Sequence, residues 1–270
     1  MTDANLPAVV FIHGLWVHSD AWAPWIDLFT TAGYPTIVQG WPGDSDTVAA
    51  TRLNPLGVAG HGIQDVTDAY AQIAKGLDQK PIIIGHSFGG LVAQKLLAQG
   101  LASAAIAIDP GPMKGVKKLP IAQIRSAFPV VSKKKNRAGA VMLSERQFRF
   151  GFGNALSKAE SRVLWQKFAI PGPGLPLFEA TGAKKDPNSP TKVDTRLRDR
   201  GPLLIIGGAK DHTVPEVVTH EAFDLYAGSG AVTNYKVFED RGHSLAFDSG
   251  WRELADYSLN WLKQTAKVTS

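Results

Sequence analysis

The 270-residue chain has no cysteine. Disulfides, thiolate metal sites and a cysteine nucleophile are thereby excluded. No stretch approaches the roughly 18 uninterrupted apolar residues that a transmembrane helix requires. The opening residues, Met1 to Pro7, carry neither a basic segment nor a long apolar run, so no secretory signal is expected and the expected location is cytoplasmic. Charge of one sign is also scarce. Subtracting 24 Asp and Glu from 29 Lys and Arg leaves +5, which is mild for a nucleic-acid binder of this length, so no nucleic-acid partner is expected.

With 44% hydrophobic and 20% charged residues, the composition rules out a disordered or fibrous chain. The length fits one core carrying an insertion.

Short β-branched runs suited to buried strands alternate with longer segments of helical period, the pattern of βαβ units in a parallel sheet. The strand candidates are Ala8–Ile12, Thr36–Gln39, Pro81–Ile84, Ala104–Ile108, Leu203–Ile206 and Val232–Phe238. Most are too uniformly apolar to have a solvent face, as expected when helices cover both sides of the sheet. Helical period marks Ser19–Ala32, His61–Leu77, Phe88–Gln99, Glu216–Ala227 and Trp251–Gln264. In the first of these Trp22, Trp25, Ile26 and Phe29 share a face, with Ser19 or Asp20 as N-cap and Gly33 as stop. Trp22 is expected in the core.

From about Gly111 to Arg200 the alternation lapses. No strand is expected there, and helices are expected only near Pro120–Phe128 and Ser144–Phe168, followed by an irregular return path. The predicted organisation is a core of residues 1–110 and 201–270 with residues 111–200 inserted as a cap. Between Asp109 and Glu145 this segment holds eight basic residues and no acid. A solvated face explains such a run most simply; steering of anionic substrates or contact with lipid surfaces is the alternative.

The sharpest chemical signal is Gly85-His86-Ser87-Phe88-Gly89, a G-x-S-x-G sequence between a strand and a helix. A tight strand-to-helix turn forces the serine into a strained conformation, and the glycines let neighbouring backbone approach. The helix N-terminus beneath it offers free N–H groups that favour an oxyanion. A serine hydroxyl needs a base and an orienting acid. His243, in Asp240-Arg-Gly-His-Ser244 after the last strand, is the candidate base. Asp211, in Gly207-Gly-Ala-Lys-Asp211, is the candidate acid, and Asp109 at the end of Ala104–Ile108 is a possible alternative acid. Either choice keeps the chain order Ser, Asp, His. His13-Gly14 ends the first strand, which makes the Leu15 and Phe88 amides the natural oxyanion donors. Trp16, Leu245, Trp41 and Phe148, and with them Trp22, Phe88, Phe150 and Phe152, are candidates for an apolar pocket, Trp16 and Leu245 being the better placed and Trp22 falling to the core.

On these motifs the chain resembles the α/β-hydrolase superfamily over nearly its whole length outside the insertion, and it is similar to generic actinobacterial α/β hydrolases with an Arg-Gly-His-Ser-Leu ending. The resemblance implies an α/β-hydrolase fold: a mostly parallel sheet of about six strands flanked by helices, with an inserted, mainly helical cap. Only about seven residues precede the first strand, so the two leading strands of the full family sheet are expected to be missing. It further implies Ser87 as nucleophile, His243 as base and Asp211 as acid, with no metal and no organic cofactor. Serine at the turn argues against epoxide hydrolase and haloalkane dehalogenase chemistry, which use aspartate there. The expected activity is hydrolysis of small to medium apolar esters or lactones through an acyl-enzyme. A cofactor-free haloperoxidase or perhydrolase, a thioesterase or amidase, a lyase, a ligand receptor with vestigial activity and a lipid-surface enzyme remain alternatives.

Overall fold

The computed structural model describes residues 6–269. In chain order the elements are β1 (Val9–Ile12), α1 (Ala23–Thr31), β2 (Thr36–Val38), α2 (Val48–Leu53), α3 (Ile63–Lys75), β3 (Ile82–His86), α4 (Phe88–Ala98) and β4 (Ala104–Ile108). Then come α5 (Ile121–Val131), β5 (Ala140–Val141), α6 (Glu145–Gly151), α7 (Lys158–Phe168), β6 (Gly172–Pro173) and α8 (Leu175–Gly182). The chain closes with β7 (Leu203–Gly208), α9 (Glu216–Asp224), β8 (Thr233–Phe238) and α10 (Trp251–Thr269). Among the described residues no helix is long and apolar enough to cross a membrane.

Six strands form one parallel sheet in the order β2-β1-β3-β4-β7-β8. Every residue of β1, β3, β4 and β7 is buried, whereas the edge strands β2 and β8 are mostly half-buried. That difference accounts for the uniformly apolar central runs, because those strands carry helices on both faces. From β1 the chain moves outward to β2, then crosses to β3 on the other side of β1. Strand order therefore reverses between β1 and β3, and a crevice opens beyond their carboxyl ends, where open α/β sheets place ligands.

The helices follow their apolar stripes. In α3, Ile63, Val66, Thr67, Tyr70, Ala71 and Ala74 are buried, and Asp65 Oδ2 accepts the Gly62 N–H at 2.7 Å to cap the first turn. Helix α4 is buried almost all round, including Gln94 and Lys95, as suits a helix under the sheet centre. Trp22 is in the core, as expected.

Several expectations change. The first helical segment begins as a 3-10 turn over Ser19–Trp22, and its N-cap is His18, whose Nδ1 accepts the Asp20 N–H at 3.2 Å. The expected Ser144–Phe168 helix is two helices, because Gly151 and Gly153 interrupt it and Ser157 caps a new start. The 111–200 segment does contain strands: β5 and β6 pair antiparallel. Two residues per strand are too few to leave a periodicity. Helix α8 lies on the expected irregular return path, and α2 in a stretch to which no element had been assigned, both being short.

Candidate active site

Ser87 joins β3 to α4 with φ 56° and ψ −126°, a left-handed backbone that an L-residue adopts only under constraint. The constraint is visible in its neighbours. The Ser87 N–H donates to the Ile108 carbonyl at 2.9 Å, and the Ser87 carbonyl accepts the Gly111 N–H at 2.8 Å. A Cβ on Gly85 would lie 2.1 Å from the Gly89 carbonyl oxygen, and one on Gly89 would lie 2.3 Å from the Ile12 carbonyl oxygen. Both positions therefore need glycine to let backbone meet backbone.

His243, itself fully buried, lies in the loop after β8. Its Nδ1 is 2.5 Å from Asp211 Oδ2 and its Nε2 is 3.0 Å from Ser87 Oγ. A carboxylate only accepts, so Nδ1 carries the proton and Nε2 is left to accept from the serine hydroxyl. Phe152 meets the imidazole edge-to-face, with ring centres 4.7 Å apart. On the other side His86 Nε2–H donates to the His243 carbonyl at 2.8 Å. Burial and the neighbouring His243 push His86 well below the usual imidazole range, so it stays neutral.

The two carboxyl groups behave differently. Burial alone would raise Asp211, but His243 and the hydrogen bonds it receives hold it below the ordinary carboxyl range. Those bonds include the Thr213 and Val214 N–H groups at 2.6 and 2.9 Å on Oδ1. Asp109, at the end of the neighbouring strand, accepts the Gly208 N–H on Oδ1 at 2.7 Å, while its Oδ2 is 3.8 Å from His243 Nδ1. Burial and the Asp211 charge push Asp109 well above the ordinary range. Two adjacent ionised carboxylates cannot hydrogen-bond; a protonated Asp109 can donate to Asp211. The acid in hydrogen-bond contact with the imidazole is thus Asp211.

Among the described residues, the Leu15 and Phe88 N–H groups have no acceptor. Phe88 opens α4, so its amide adds to the partial positive charge of the helix start. A cavity of about 680 Å³ has Ser87, Leu15 and Phe88 in its wall, together with Trp16, Met113, Leu177 and Val214. Trp16 is held there with φ 69° and an indole N–H donated to the Val141 carbonyl at 3.0 Å. The other pocket candidates point elsewhere. Trp41 stacks on His13 and donates to its carbonyl at 3.0 Å. Phe148 stacks on Phe152, behind the wall, and Leu245 is fully buried in the core. Adjacency to a motif placed Trp16 in the wall but not Leu245.

The cavity wall comes largely from residues 111–131 and 177–184, inside the expected insertion, though none of those individual residues had been singled out as pocket lining. Also unforeseen is the buried pair of His13 Nε2 and Asp44 Oδ2 at 3.0 Å, which ties the end of β1 to the loop after β2. One buried trio, His86, Asp109 and His243, brings potential metal-ligand atoms within 4.8 Å of one another. His86 Nε2 and His243 Nδ1 are both engaged as donors, so this is the donor set of a hydrogen-bonded array rather than of a metal cage.

The model of the alpha/beta hydrolase family matches residues 9–257. The chain belongs to that family. Solved structures similar to this α/β hydrolase include a methylesterase from Arabidopsis, 18% identical with a TM-score of 0.64, covering 96% of this chain and 99% of that one. A pyrethroid hydrolase from Sphingobium faniae is 14% identical with a TM-score of 0.66, covering 97% and 99%. A monoacylglycerol lipase from Paleococcus ferrophilus is 17% identical with a TM-score of 0.64, covering 95% and 94%. At these identities the likeness extends to the fold. A search of curated protein sequences finds no match.

Proposed function

We propose that the protein is a serine hydrolase of carboxylic esters or lactones with small to medium apolar groups. The observation that carries this reading is the continuous hydrogen-bonded line Ser87 Oγ, His243, Asp211 at the wall of a large, mainly apolar cavity. A cavity of this size falls in the range of small-molecule sites. The esterase, lipase and hydrolase relatives support the same chemistry.

In this reading His243 Nε2 takes the Ser87 proton as Oγ attacks the carbonyl carbon. The oxyanion that forms accepts the Leu15 and Phe88 N–H groups. Collapse expels the alcohol, which receives the proton from His243, and leaves an acyl group on Ser87; in a lactone the alcohol stays tethered to the acyl chain. Water then attacks, with His243 again taking the proton, and the acid leaves. Asp211 holds the imidazole tautomer and stabilises the imidazolium. Residues 111–200 act as the cap, supplying much of the wall that selects the substrate.

The test is turnover of a chain-length series of p-nitrophenyl esters and several lactones by the wild type and Ser87→Ala. Saturable turnover lost in the variant is expected, with the best chain length sizing the cavity. Equal turnover by both proteins would overturn the assignment.

A further inference from the structure

Helix α5 is built inside out. Ile121 is 84% exposed, Ile124 45% and Phe128 60%, and Leu119 just before the helix is 63% exposed. Positions 121, 124 and 128 share one face of a 3.6-residue helix, so they form a single apolar stripe turned toward solvent. The buried face holds Gln123 and Ser126 beside Val130, and Ser126 Oγ is spent on the Thr213 hydroxyl at 2.9 Å. Folding alone does not favour this arrangement, because it leaves large side chains in water and takes polar ones out of it. A contiguous exposed apolar patch of this kind marks an interaction surface.

The surroundings say what kind. Exposed Lys117 and Lys118 precede the helix, and exposed Lys133, Lys134 and Lys135 follow it, so basic groups stand at both ends of a helix about 16 Å long. Among the described residues, no lysine forms an ion pair with a carboxylate. Glu221 Oε2 is occupied with the Lys117 and Lys118 backbone N–H groups, which it accepts at 2.8 and 2.7 Å. Lys117, Lys118, Leu119 and Ile124 also line the cavity that contains Ser87, so the patch is continuous with the cavity wall.

We propose that this face docks the protein on an anionic lipid surface. Ile121, Ile124 and Phe128 enter the boundary between headgroups and acyl chains, while the lysines meet the headgroup charges. A second copy of this chain fits less well, since an isologous contact would set the same lysines against each other. The docking stands on α5 and its flanks and does not depend on the esterase reading.

The test is sedimentation of the full chain with vesicles of phosphatidylcholine alone or with about one-third phosphatidylglycerol, at low and at high salt. Two double variants accompany it: Ile121→Glu with Phe128→Glu, and Lys133→Glu with Lys134→Glu. None of these four residues lines the cavity. The wild type is expected to partition at least about tenfold more strongly into the anionic vesicles, and less so in high salt. Each variant should lose about tenfold of that partitioning while keeping its melting temperature and its turnover of a soluble ester. Equal binding to both vesicle types, or no binding by the wild type, overturns the proposal. So does an unaltered partition in variants that remain folded, or a dimer in solution that the Ile121→Glu, Phe128→Glu pair dissolves.

Discussion

The sheet ends that carry Ser87, Asp109, Asp211 and His243 are held differently from the segment that forms most of the cavity wall. Around the reacting groups the backbone itself does the holding: β1, β3, β4 and β7 are fully buried and bonded strand to strand, and Ser87 is gripped through its own N–H and carbonyl. Residues 111–200 meet the core through one short backbone bridge, Val17 with Ala169, and otherwise largely through side chains reaching backbone. Arg52 donates to the carbonyls of Ala169, Trp165 and Gln166 at 2.8 to 3.0 Å, and Glu179 accepts the Ile63 N–H at 2.8 Å. Trp16 donates to Val141, and Asn154 Nδ2 donates to the Lys210 carbonyl at 2.7 Å. Distances set by a parallel sheet tolerate little change, whereas a wall tied by individual side chains can be altered one tie at a time. Chemistry and specificity therefore have separate structural supports.

The largest expected effects break the reacting line and leave residues 111–200 untouched. Ser87→Ala and Asp211→Asn should each lower kcat for a p-nitrophenyl ester by about 10⁴-fold. Thermal melts within a few degrees of wild type would show that the loss is chemical. Next comes the backbone support. Gly89→Ala drives a Cβ into the Ile12 and His13 carbonyl oxygens at 2.3 and 2.6 Å, and urea unfolding should register a loss of about 3 kcal/mol or failure to fold.

Arg52→Ala sharpens the comparison from the other side. Removing three donors from the end of α7 should cost about 1–2 kcal/mol of stability. It should raise KM for a long-chain ester several-fold, with kcat for a short acetate ester within about twofold of wild type. An equal fall in both kcat values would mean that the wall and the reacting line are not separable.

The smallest effect on turnover is expected from Asp109→Asn, since the amide stays neutral and can donate to Asp211 as a protonated acid does. Activity should stay within about tenfold of wild type. Stability gives a directional check. Asp109 titrates well above its ordinary value when folded, so the native state holds a proton that the unfolded chain releases. Wild-type stability from this group is therefore fully present below about pH 4 and declines as pH rises toward the folded-state value. The Asn variant lacks that decline, so its melting temperature should gain on wild type from pH 4 toward neutrality.

The same division governs what could be read in advance. The Ser87 turn was legible because a β-branched run, two obligatory glycines and a helical period lie side by side in the chain. His243 and Asp211 were legible as residues following strands. Asp211 was the candidate acid, but Asp109 stayed open as an alternative, because β4 and β7 are neighbours and deliver both carboxyls to one imidazole; side-chain direction, 2.5 Å against 3.8 Å, distinguishes them. Trp41, Phe148 and Leu245 misled for a related reason, since neither aromatic character nor, for Leu245, position beside a motif says which way a side chain turns. The wall was the least legible part. Its helices near 120–131 and 144–168 left a period, but its two-residue strands left none, and α5 turns its apolar stripe outward, against the pattern that marks a core.

The central claim is that Ser87 forms an acyl-enzyme, and its most direct test is the mass of the protein quenched in acid during turnover of a p-nitrophenyl ester. The account predicts one added acyl group on the peptide carrying Ser87 and none in Ser87→Ala. Turnover that is retained in Ser87→Ala, or an acyl group found on another residue, would contradict it.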